Sequence, residues 1–407
     1  MDNIAGQNNS LKWAVNITVA LLVVAWLIPT VGLFVSSFRD RDQITASGWW
    51  LAPFSVELTY RTRADDAAPR QEGDLWIVEG NIFGTGEVAD AFASGDASIT
   101  AFGVTGRDPA AFAAGTEGEN RDGGTLLVMA DGSYRYTSTE EPDARGPRIY
   151  FAAATPPDFT MDNYQTILTA QTADERAASQ AQGATFWDLL FDEEGIFRNF
   201  VNTFTVTIPA TVIPILIAAF AAYALAWMDF PGRGLLIAAV VGLLVVPLQL
   251  ALVPLLNLHN RIGIGQSFLG IWMAHTGFGL PLAIYLLRNY MVGLPRDIIE
   301  GAKVDGATDF QIFTKIILPL SFPALASFAI FQFLWTWNDL LVAKVFLPSD
   351  DASKVMTVRI ADDLLGSRGG DWGILAAAAF VSIAVPVIVF FTMQRFLVRG
   401  LLAGSVK

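Results

Sequence analysis

The stretch EGAKVDGATDFQIFTKIILPL, from Glu300 to Leu320, is polar and glycine-containing and lies between two long apolar runs. Apolar runs of about 20 residues are typical of membrane-spanning helices. A polar segment between two such runs predicts a loop that leaves the membrane and is exposed at its surface. The pattern inside this loop therefore bears on both the fold and the function of the chain.

That pattern predicts two short helices joined by a tight turn. The first helix is expected at Asp297–Val304, where acidic residues at the start suit the helix dipole. Gly306 can adopt the left-handed conformation that ends a helix, and Thr308 or Asp309 can cap the next one. The second helix is expected to end at Pro319. Such a loop offers a small, rigid surface that could bind another protein.

The composition predicts a helical protein that crosses a membrane several times. Hydrophobic residues make up 53% of the 407 residues, and they are bunched into long runs. The first run is expected to be an uncleaved anchor, because it is too long for the core of a signal peptide, and the alternative is a cleaved signal. The six predicted spans are, approximately, Ala14–Phe38, Phe200–Met228, Leu235–Leu256, Gln266–Leu287, Leu320–Leu347 and Ile374–Phe396.

The net charge of −13 is concentrated in one part of the chain. Residues 39–199 hold 27 acidic and 12 basic residues, and all 12 basic residues are arginine. Stretches such as SVELTYRTR, DLWIVEGNI and ASITAFGV predict β-strands, and Asp131-Gly132 between two alternating runs predicts a hairpin. The alternative is a flexible acidic loop. The chain is predicted to have three parts: a first segment with span one at 1–38, an acidic insert at 39–199, and spans two to six at 200–407. The insert is expected to be β-rich at about 49–153 and to have short helices at about 158–198. The loop described above occupies 295–319 of the third part.

Lysine and arginine residues near the ends of the spans predict the orientation in the membrane. Those outside the insert fall mostly on one side if both termini are cytoplasmic. The insert then lies on the opposite, extracytoplasmic side. The basic residues that set this orientation are Lys12, Arg233, Arg288, Arg296, Lys303, Lys315, Arg395, Arg399 and Lys407.

The side chains that common catalytic and metal sites require are scarce. The chain has no cysteine and only two histidines, His259 and His275. Thiolate metal sites are therefore excluded, and two histidines provide few ligands for a metal site and few candidate bases for Ser-His-Asp catalysis. The phosphate-binding motif G-x-x-x-x-G-K-[ST] does not occur either. No cofactor or metal is expected, and a function driven by ATP would need a separate ATPase.

The spacing in the loop resembles the EAA loop of permease subunits of binding-protein-dependent ABC importers. In that family the loop forms a coupling helix that binds a groove of the cytoplasmic ATPase. Gly301 stands where alanine is usual, and glycine weakens a helix by about 1 kcal/mol, so docking is expected to be softer. The alternative is an ordinary interhelical loop. The coupling residues that the resemblance implies are Glu300, Gly301, Ala302, Asp305, Gly306, Ile316, Leu318 and Pro319.

Longer stretches are similar to maltose-type sugar permeases, among them NTFTVTIPATVIPILIAAFAAYALAWMDFPGRG (202–234) and the C-terminal VRGLLAGSVK. Within that group the resemblance is to alpha-glucoside permeases of the second-subunit type. It implies six transmembrane helices in the type I ABC importer permease fold, with the insert between helices one and two, in a bacterial inner membrane with the insert periplasmic. The implied partners are a second permease subunit, two copies of an ATP-binding subunit and an extracytoplasmic sugar-binding protein.

Several polar or aromatic residues lie within or near the apolar runs, where polar groups are costly. The stretch WTWND has the residue types of a sugar path, namely aromatic faces for sugar rings and polar groups for hydroxyls. The alternative is an aromatic belt at the membrane surface. His275 is expected to form an interhelical hydrogen bond rather than a proton relay. The candidate pathway residues are Trp335, Trp337, Asn338, Asp339 and Gln249.

Three other functions compete with that of an importer permease. An ion-coupled secondary transporter would need ionisable sites in several spans and internal repeats, and neither is found. A membrane-anchored sensor would leave most of the spans unexplained, and a membrane enzyme would need a catalytic cluster. The insert could bind the sugar-binding protein or the second permease, or it could brace the outer face. Maltose, sucrose, trehalose and glucosylglycerol all remain possible substrates.

Overall fold

A computed structural model describes residues 9–63, 68–84, 98–120, 123–142, 146–191, 196–364 and 371–403. The chain divides into two compact units. The first unit contains residues 1–163 and 371–376, and the second contains residues 164–370 and 377–407. The helices and strands of each unit are described separately.

The first unit begins with a long apolar helix, α1 (Asn9–Ser36), whose side chains are almost all exposed. A short helix, α2 (Arg41–Ala46), follows, and the side chain of Asp40 caps it by accepting a hydrogen bond from the Asp42 amide at 2.9 Å. In the described part of this unit nine strands follow. They are β1 (Val56–Arg63), β2 (Arg70–Glu72), β3 (Leu75–Asn81), β4 (Ser98–Gly103), β5 (Phe112–Ala113), β6 (Glu117–Glu119), β7 (Thr125–Val128), β8 (Ser133–Ser138) and β9 (Arg148–Thr155).

These strands form two antiparallel sheets, in the orders β1-β9-β4-β5 and β2-β3-β8-β7-β6. The predicted hairpin is confirmed: Gly132 has φ +83°, and the Asp131 carboxylate accepts hydrogen bonds from Ser133 between β7 and β8. The inner faces of both sheets share one core, so an ordered β structure replaces the alternative of a flexible loop. Its fully buried side chains include Phe102, Val128, Ile149, Phe151 and Ala153.

The second unit is helical in the residues that the structure describes. Three short helices lead into it, and two of them have capping boxes, Thr172 with Glu175 and Thr185 with Asp188. The first residues of α3 and of α16 belong to the first unit. The helices are α3 (Asp162–Thr169), α4 (Ala173–Ala181), α5 (Phe186–Leu190), α6 (Phe197–Trp227), α7 (Arg233–Leu243), α8 (Leu248–Arg261), α9 (Phe268–Val292), α10 (Arg296–Val304), α11 (Asp309–Ile312), α12 (Leu318–Leu320), α13 (Phe322–Trp337), α14 (Leu341–Phe346), α15 (Met356–Arg359) and α16 (Trp372–Ala403).

Helices α6 and α9 form the most extensive helix pair of this unit. Small residues line their contact and let the two backbones approach closely, as is usual between membrane helices. Helix α13 packs on the same core. The fully or nearly fully buried residues of this core include Ala218, Ala222, Ala283, Leu287 and Phe328.

Three prolines inside these helices have their freed carbonyls paired by donors from neighbouring helices. A proline at position i leaves the carbonyl at i−4 without a helical donor. Pro209 and Pro214 lie in α6, and Pro386 lies in α16. Pairing by neighbouring helices is what makes proline tolerable inside a membrane helix. The three bonds run from Trp272 Nε1 to Thr205 O (2.8 Å), from Gln332 Nε2 to Ala210 O (3.2 Å) and from Trp337 Nε1 to Ser382 O (2.9 Å).

Within the described ranges, four helices are long and apolar enough to cross a membrane, and two bent helix pairs bring the number to as many as six. The third and fifth predicted spans are therefore not straight helices. The third breaks before Pro247, where α7 and α8 meet at 108°, because proline disfavours the helical conformation of the residue before it. The fifth ends at Trp337, and the segment before it is bent by 68° relative to α13. The four long spans are Leu11–Ser36, Phe197–Trp227, Phe268–Val292 and Trp372–Phe396.

Candidate functional site

The loop between α9 and α13 begins with α10, which is anchored on one side and exposed on the other. Pro295 precedes the helix and Asp297 lies in its first turn, as the sequence predicts. Ile299 is buried against the core that contains Met291 and Ile312. Because this one side chain points into the core, the opposite face of α10 is turned away from the rest of the unit.

Helix α10 ends in a Schellman motif, which fixes the turn that follows. Gly306 has φ +80° and donates its amide to the carbonyl of Lys303 at 3.0 Å. The amide of Ala307 donates to the carbonyl of Ala302 at 3.0 Å, which completes the motif. The predicted left-handed conformation at Gly306 is thus confirmed. A Cβ atom added at Gly306 would meet nothing within 4 Å, so the turn is open to its surroundings.

The second helix of the loop starts with a capping box and continues through a π turn. The amide of Gln311 donates to Thr308 Oγ1 at 3.3 Å, and the Gln311 side chain accepts from the Thr308 amide at 2.9 Å. Thr308, rather than Asp309, is therefore the cap. Helix α11 is followed by a π turn at Phe313–Ile317 and then by α12, which includes Pro319. π turns inside α-helices are frequent at functional sites.

The second helix is anchored more firmly than the first. Ile312, Phe313 and Ile317 are all buried in the core of the unit. The Phe313 ring lies between α6 rings, with its centroid 4.7 Å from that of Phe220 and 5.2 Å from that of Tyr223. If this helix is displaced, Phe313 will therefore press on α6.

The exposed face of the loop carries five of the eight predicted coupling residues, together with Val304 and Phe310, which the sequence did not mark as coupling residues. Val304 is 88% exposed and Phe310 is 66% exposed. Aliphatic and aromatic side chains exposed on a rigid turn indicate a protein-binding surface. Only their exposure in the folded chain separates these two from the buried apolar residues nearby. Of the predicted residues, Glu300, Gly301, Asp305, Gly306 and Pro319 are exposed, and Ala302, Ile316 and Leu318 are half-buried.

The candidate pathway residues are dispersed. Trp335 lines an apolar cavity of about 790 Å³ between the bend of α7 and α8 and helices α9 and α13. Trp337 is buried, donates to Ser382 as described above, and packs against Phe204 with ring centroids 4.8 Å apart. Gln249 is exposed on α8 and is not among the residues that line this cavity. Among the five residues, therefore, only Trp335 faces the cavity.

The other two residues of WTWND occupy the connection between α13 and α14. Asn338 is exposed and donates its side-chain amide to the carbonyl of Leu334 at 2.8 Å. The Asp339 carboxylate accepts hydrogen bonds from the amides of Val342 and Ala343 at the start of α14, at 2.9 and 3.2 Å. His275 Nε2 lies 3.9 Å from this carboxylate. Neither ring nitrogen of His275 has a hydrogen-bond partner among the described residues, so the interhelical hydrogen bond expected for it is not found.

Comparison with known proteins extends over the whole chain. The profile of the family described as "binding-protein-dependent transport system inner membrane component" matches residues 193–402. The alpha-glucoside transport system permease protein AglG of Rhizobium meliloti (strain 1021) is 54% identical over 408 residues, with 98% of each chain covered. The osmoprotective compounds uptake permease protein GgtD of Synechocystis sp. (strain ATCC 27184 / PCC 6803 / Kazusa) is 59% identical, over 52% of this chain and 71% of that one.

The trehalose transport system permease protein SugB of Mycobacterium tuberculosis (strain CDC 1551 / Oshkosh) is 38% identical, over 52% of this chain and 80% of that one. Of these three relatives, AglG alone matches nearly the whole chain, so the acidic insert is shared with that protein. The expected permease family is confirmed, and the chain is a transport component rather than an enzyme. It belongs to the inner membrane components of binding-protein-dependent transport systems, the permease subunits of ABC importers.

Proposed function

We propose that this chain is one of two permease subunits of an ATP-driven sugar importer, and that alpha-glucosides or related oligosaccharides are its substrates. The observation that carries the proposal is the exposed apolar surface at Val304 and Phe310, on a loop whose helices are fixed in the core. The resemblance of this loop to the EAA loop identifies its partner as the cytoplasmic ATPase. The match to AglG over 98% of both chains supports the substrate class.

The buried side of the loop supports a mechanical role. Ile299 and Ile312 anchor both ends of the turn in one core, and Phe313 packs against α6. A partner that pulls or pushes the exposed turn would act on α6, α9 and α13 together, because the core is close-packed and transmits strain. ATP-driven closure of the ATPase would thereby move the spans between inward-open and outward-open arrangements.

The remaining partners follow from the family and the coupling residues. The complete importer would contain a second permease subunit, two ATP-binding subunits and an extracytoplasmic sugar-binding protein. The coupling residues of this chain would be Glu300, Gly301, Ala302, Asp305, Gly306, Ile316, Leu318 and Pro319, joined by Val304 and Phe310.

The chain would cross the inner membrane six times, with the two bent helix pairs as spans three and five. Both termini and the coupling loop would be cytoplasmic. The insert at 39–199 would be periplasmic, with its two sheets at 56–155. This orientation is supported by the basic residues beside the spans and by the need of the loop to reach a cytoplasmic ATPase. The insert would bind the sugar-binding protein or the second permease, or brace the outer face.

The sugar path would use Trp335 rather than Trp337. Trp335 lines the apolar cavity of the helical unit, and aromatic faces suit the apolar faces of sugar rings. Trp337 is already engaged with Ser382, and Asp339 with the start of α14. Because most of the side chains that line this cavity are apolar, we expect the second permease to provide part of the polar contacts with the sugar.

The coupling proposal is tested by Val304→Asp in the complete importer reconstituted in liposomes. The charge should not enter an apolar groove of the ATPase without losing its hydration, so we expect sugar-stimulated ATP hydrolysis to fall at least tenfold. The matched control is Val304→Ile, which keeps an apolar side chain at this exposed position and should retain wild-type hydrolysis. Wild-type hydrolysis and uptake in Val304→Asp would contradict the coupling role. Uptake without any ATPase subunit would favour an ion-coupled transporter.

The substrate class is tested by uptake of labelled disaccharides into the same liposomes with the binding protein outside. We expect maltose, sucrose or trehalose, which contain alpha-linked glucose, to be taken up in an ATP-dependent manner. Cellobiose, whose glucose is beta-linked, is the control and should not be taken up. Equal uptake of cellobiose would contradict an alpha-glucoside importer and leave the coupling mechanism untouched.

A further inference from the structure

The segment after α1 folds back and packs on the end of that helix. Trp49 lies directly against Gly32, and a Cβ atom added at Gly32 would lie 2.7 Å from Trp49 Nε1. Only glycine permits this approach. Gly32 is four residues before the end of α1 at Ser36, which is about 6 Å along the helix axis. The turn at Gly48–Phe54 is therefore held beside the last turns of a helix that is long and apolar enough to span a membrane.

A buried arginine holds this folded-back arrangement. Arg39 is only 1% exposed, although it is a charged residue. Its Nη2 atom donates to the carbonyl of Gln43 at 2.8 Å and to Ser47 Oγ at 2.6 Å, and its Nη1 atom donates to the carbonyl of Ser47 at 3.2 Å. Hydrogen bonds from a charged donor are stronger than neutral ones. The guanidinium thus holds the middle of α2 and the residue that follows this helix, and fixes where the chain re-approaches α1.

The side chains that this turn presents outward are apolar. Trp50 is 64% exposed, Phe54 is 62% exposed, and Leu51 between them is also exposed. Neighbouring residues of α1, such as Leu33 and Phe34, are exposed as well. The apolar surface of the turn therefore continues the apolar surface of the helix at its end. The environment that covers the helix should cover the turn too.

We propose that Trp50, Leu51 and Phe54 form an interfacial membrane anchor. Helix α1 supplies the argument for a lipid partner, because its exposed apolar length requires acyl chains around it. A turn fixed at the last turns of such a helix lies at the boundary between acyl chains and headgroups. Tryptophan is enriched at this depth, since its ring is apolar and its N–H is polar. The anchor fixes the depth at which α1 ends in the bilayer. It also binds lipid just before β1, the first strand of this unit. This inference goes beyond the transport function and does not depend on the coupling loop.

The natural absence of cysteine makes a direct test possible. Single cysteines would be introduced by Trp50→Cys, Phe54→Cys and Met129→Cys, spin-labelled, and placed in phosphatidylethanolamine–phosphatidylglycerol liposomes within the complete importer. Met129 is the matched control, because it is exposed and lies between β7 and β8, in the sheet that does not contain β1. Collision rates with oxygen, which partitions into lipid, and with a water-soluble nickel chelate report the depth of each label.

We expect oxygen collisions to exceed nickel collisions at positions 50 and 54, and the order to reverse at position 129. If the labels at 50 and 54 collide with nickel as often as the label at 129 does, the turn is in water and the proposal is wrong. If they are shielded from both reagents, a protein partner covers the turn and the proposal is also wrong. A Leu51→Cys label gives the same readout if either larger substitution prevents folding. Sugar-stimulated ATP hydrolysis of each labelled preparation is a separate readout of the transport function.

Discussion

The interior of the helical unit and its coupling loop differ in where their side chains and carbonyls find partners. In the interior, the carbonyls freed by Pro209, Pro214 and Pro386 are each paired by a side chain from another helix. On the loop, Val304 and Phe310 expose apolar surface that no described residue covers. These three carbonyls find their donors within this chain, whereas the exposed apolar side chains of the loop are left for a partner. Substitutions in the interior should therefore lower stability, and those on the loop should lower coupling.

The largest effect on the loop side is expected from Gly306→Pro. Proline cannot adopt the observed φ of +80° and has no amide to donate to Lys303, so the Schellman turn would be lost. We expect sugar-stimulated ATP hydrolysis of the reconstituted importer to be abolished. The core should remain folded, because Ile299, Ile312 and Phe313 are outside the turn.

The measurement pairs stimulated hydrolysis with thermal unfolding of the purified permease. A variant that loses hydrolysis while its melting temperature stays near that of the wild type supports the distinction between loop and interior. A Gly306→Pro importer that still hydrolyses ATP in response to sugar would show that the turn is not the mechanical link.

Trp337→Phe is expected to have the next largest effect, and this one falls on stability. Phenylalanine keeps the ring packing against Phe204 but has no N–H, so the Ser382 carbonyl loses its donor. Interhelical hydrogen bonds in membrane proteins contribute about 0.6 kcal/mol on average and up to about 1.7. We expect a loss larger than that in the free energy of unfolding, because the smaller ring also leaves a void at a fully buried position, with the substrate KM unchanged.

Trp335→Phe provides the matched control two residues earlier in the same helix. Trp335 lines the cavity, so its replacement should leave stability unchanged and alter the sugar KM if the cavity is the path. The opposite result, with Trp337→Phe changing KM and Trp335→Phe changing stability, would reverse the roles assigned to the two residues.

The smallest effect is expected from Gly301→Ala, which restores the residue usual in EAA loops. A Cβ atom at Gly301 would meet nothing within 4 Å, so the substitution creates no clash within the chain. Alanine should stabilise α10 by roughly 0.5–1 kcal/mol, because glycine loses more backbone freedom on folding. Circular dichroism of the purified permease during thermal unfolding would measure this gain. A loss of stimulated hydrolysis in Gly301→Ala would mean that the softer helix is itself needed for docking.

Local features of the loop and of the insert could be read from the sequence because they depend on neighbouring residues. The left-handed Gly306, the cap at Thr308 and the hairpin at Asp131-Gly132 each follow from short-range backbone preferences. The strand β9 (Arg148–Thr155) was not singled out, although it pairs with both β1 and β4 at the centre of its sheet. Ile149, Phe151, Ala153 and Thr155 are buried on one face, but Tyr150, Ala152 and Ala154 on the other face are not polar enough to give the sequence a clear apolar–polar alternation.

Features that depend on distant residues could not be read in this way. The burial of Arg39 and the pairing of Trp337 with Ser382 both require knowledge of what the rest of the chain places nearby. WTWND has the composition of a sugar path, yet the fold directs one tryptophan to a cavity and the other to a carbonyl freed by a proline. Residues two apart on a helix face directions about 200° apart, so composition alone cannot assign both.

The sequence by itself determined the membrane class, the permease family and the local form of the coupling loop, because hydrophobic run length, spacing and backbone preference act over short distances. Only the tertiary structure decided which apolar side chains of that loop stay exposed and which donors pair the carbonyls freed by proline. It also decided that the turn after α1 returns to the end of that helix. Burial and hydrogen bonding are settled by contacts between segments far apart in the chain, and those contacts exist only once the chain has folded.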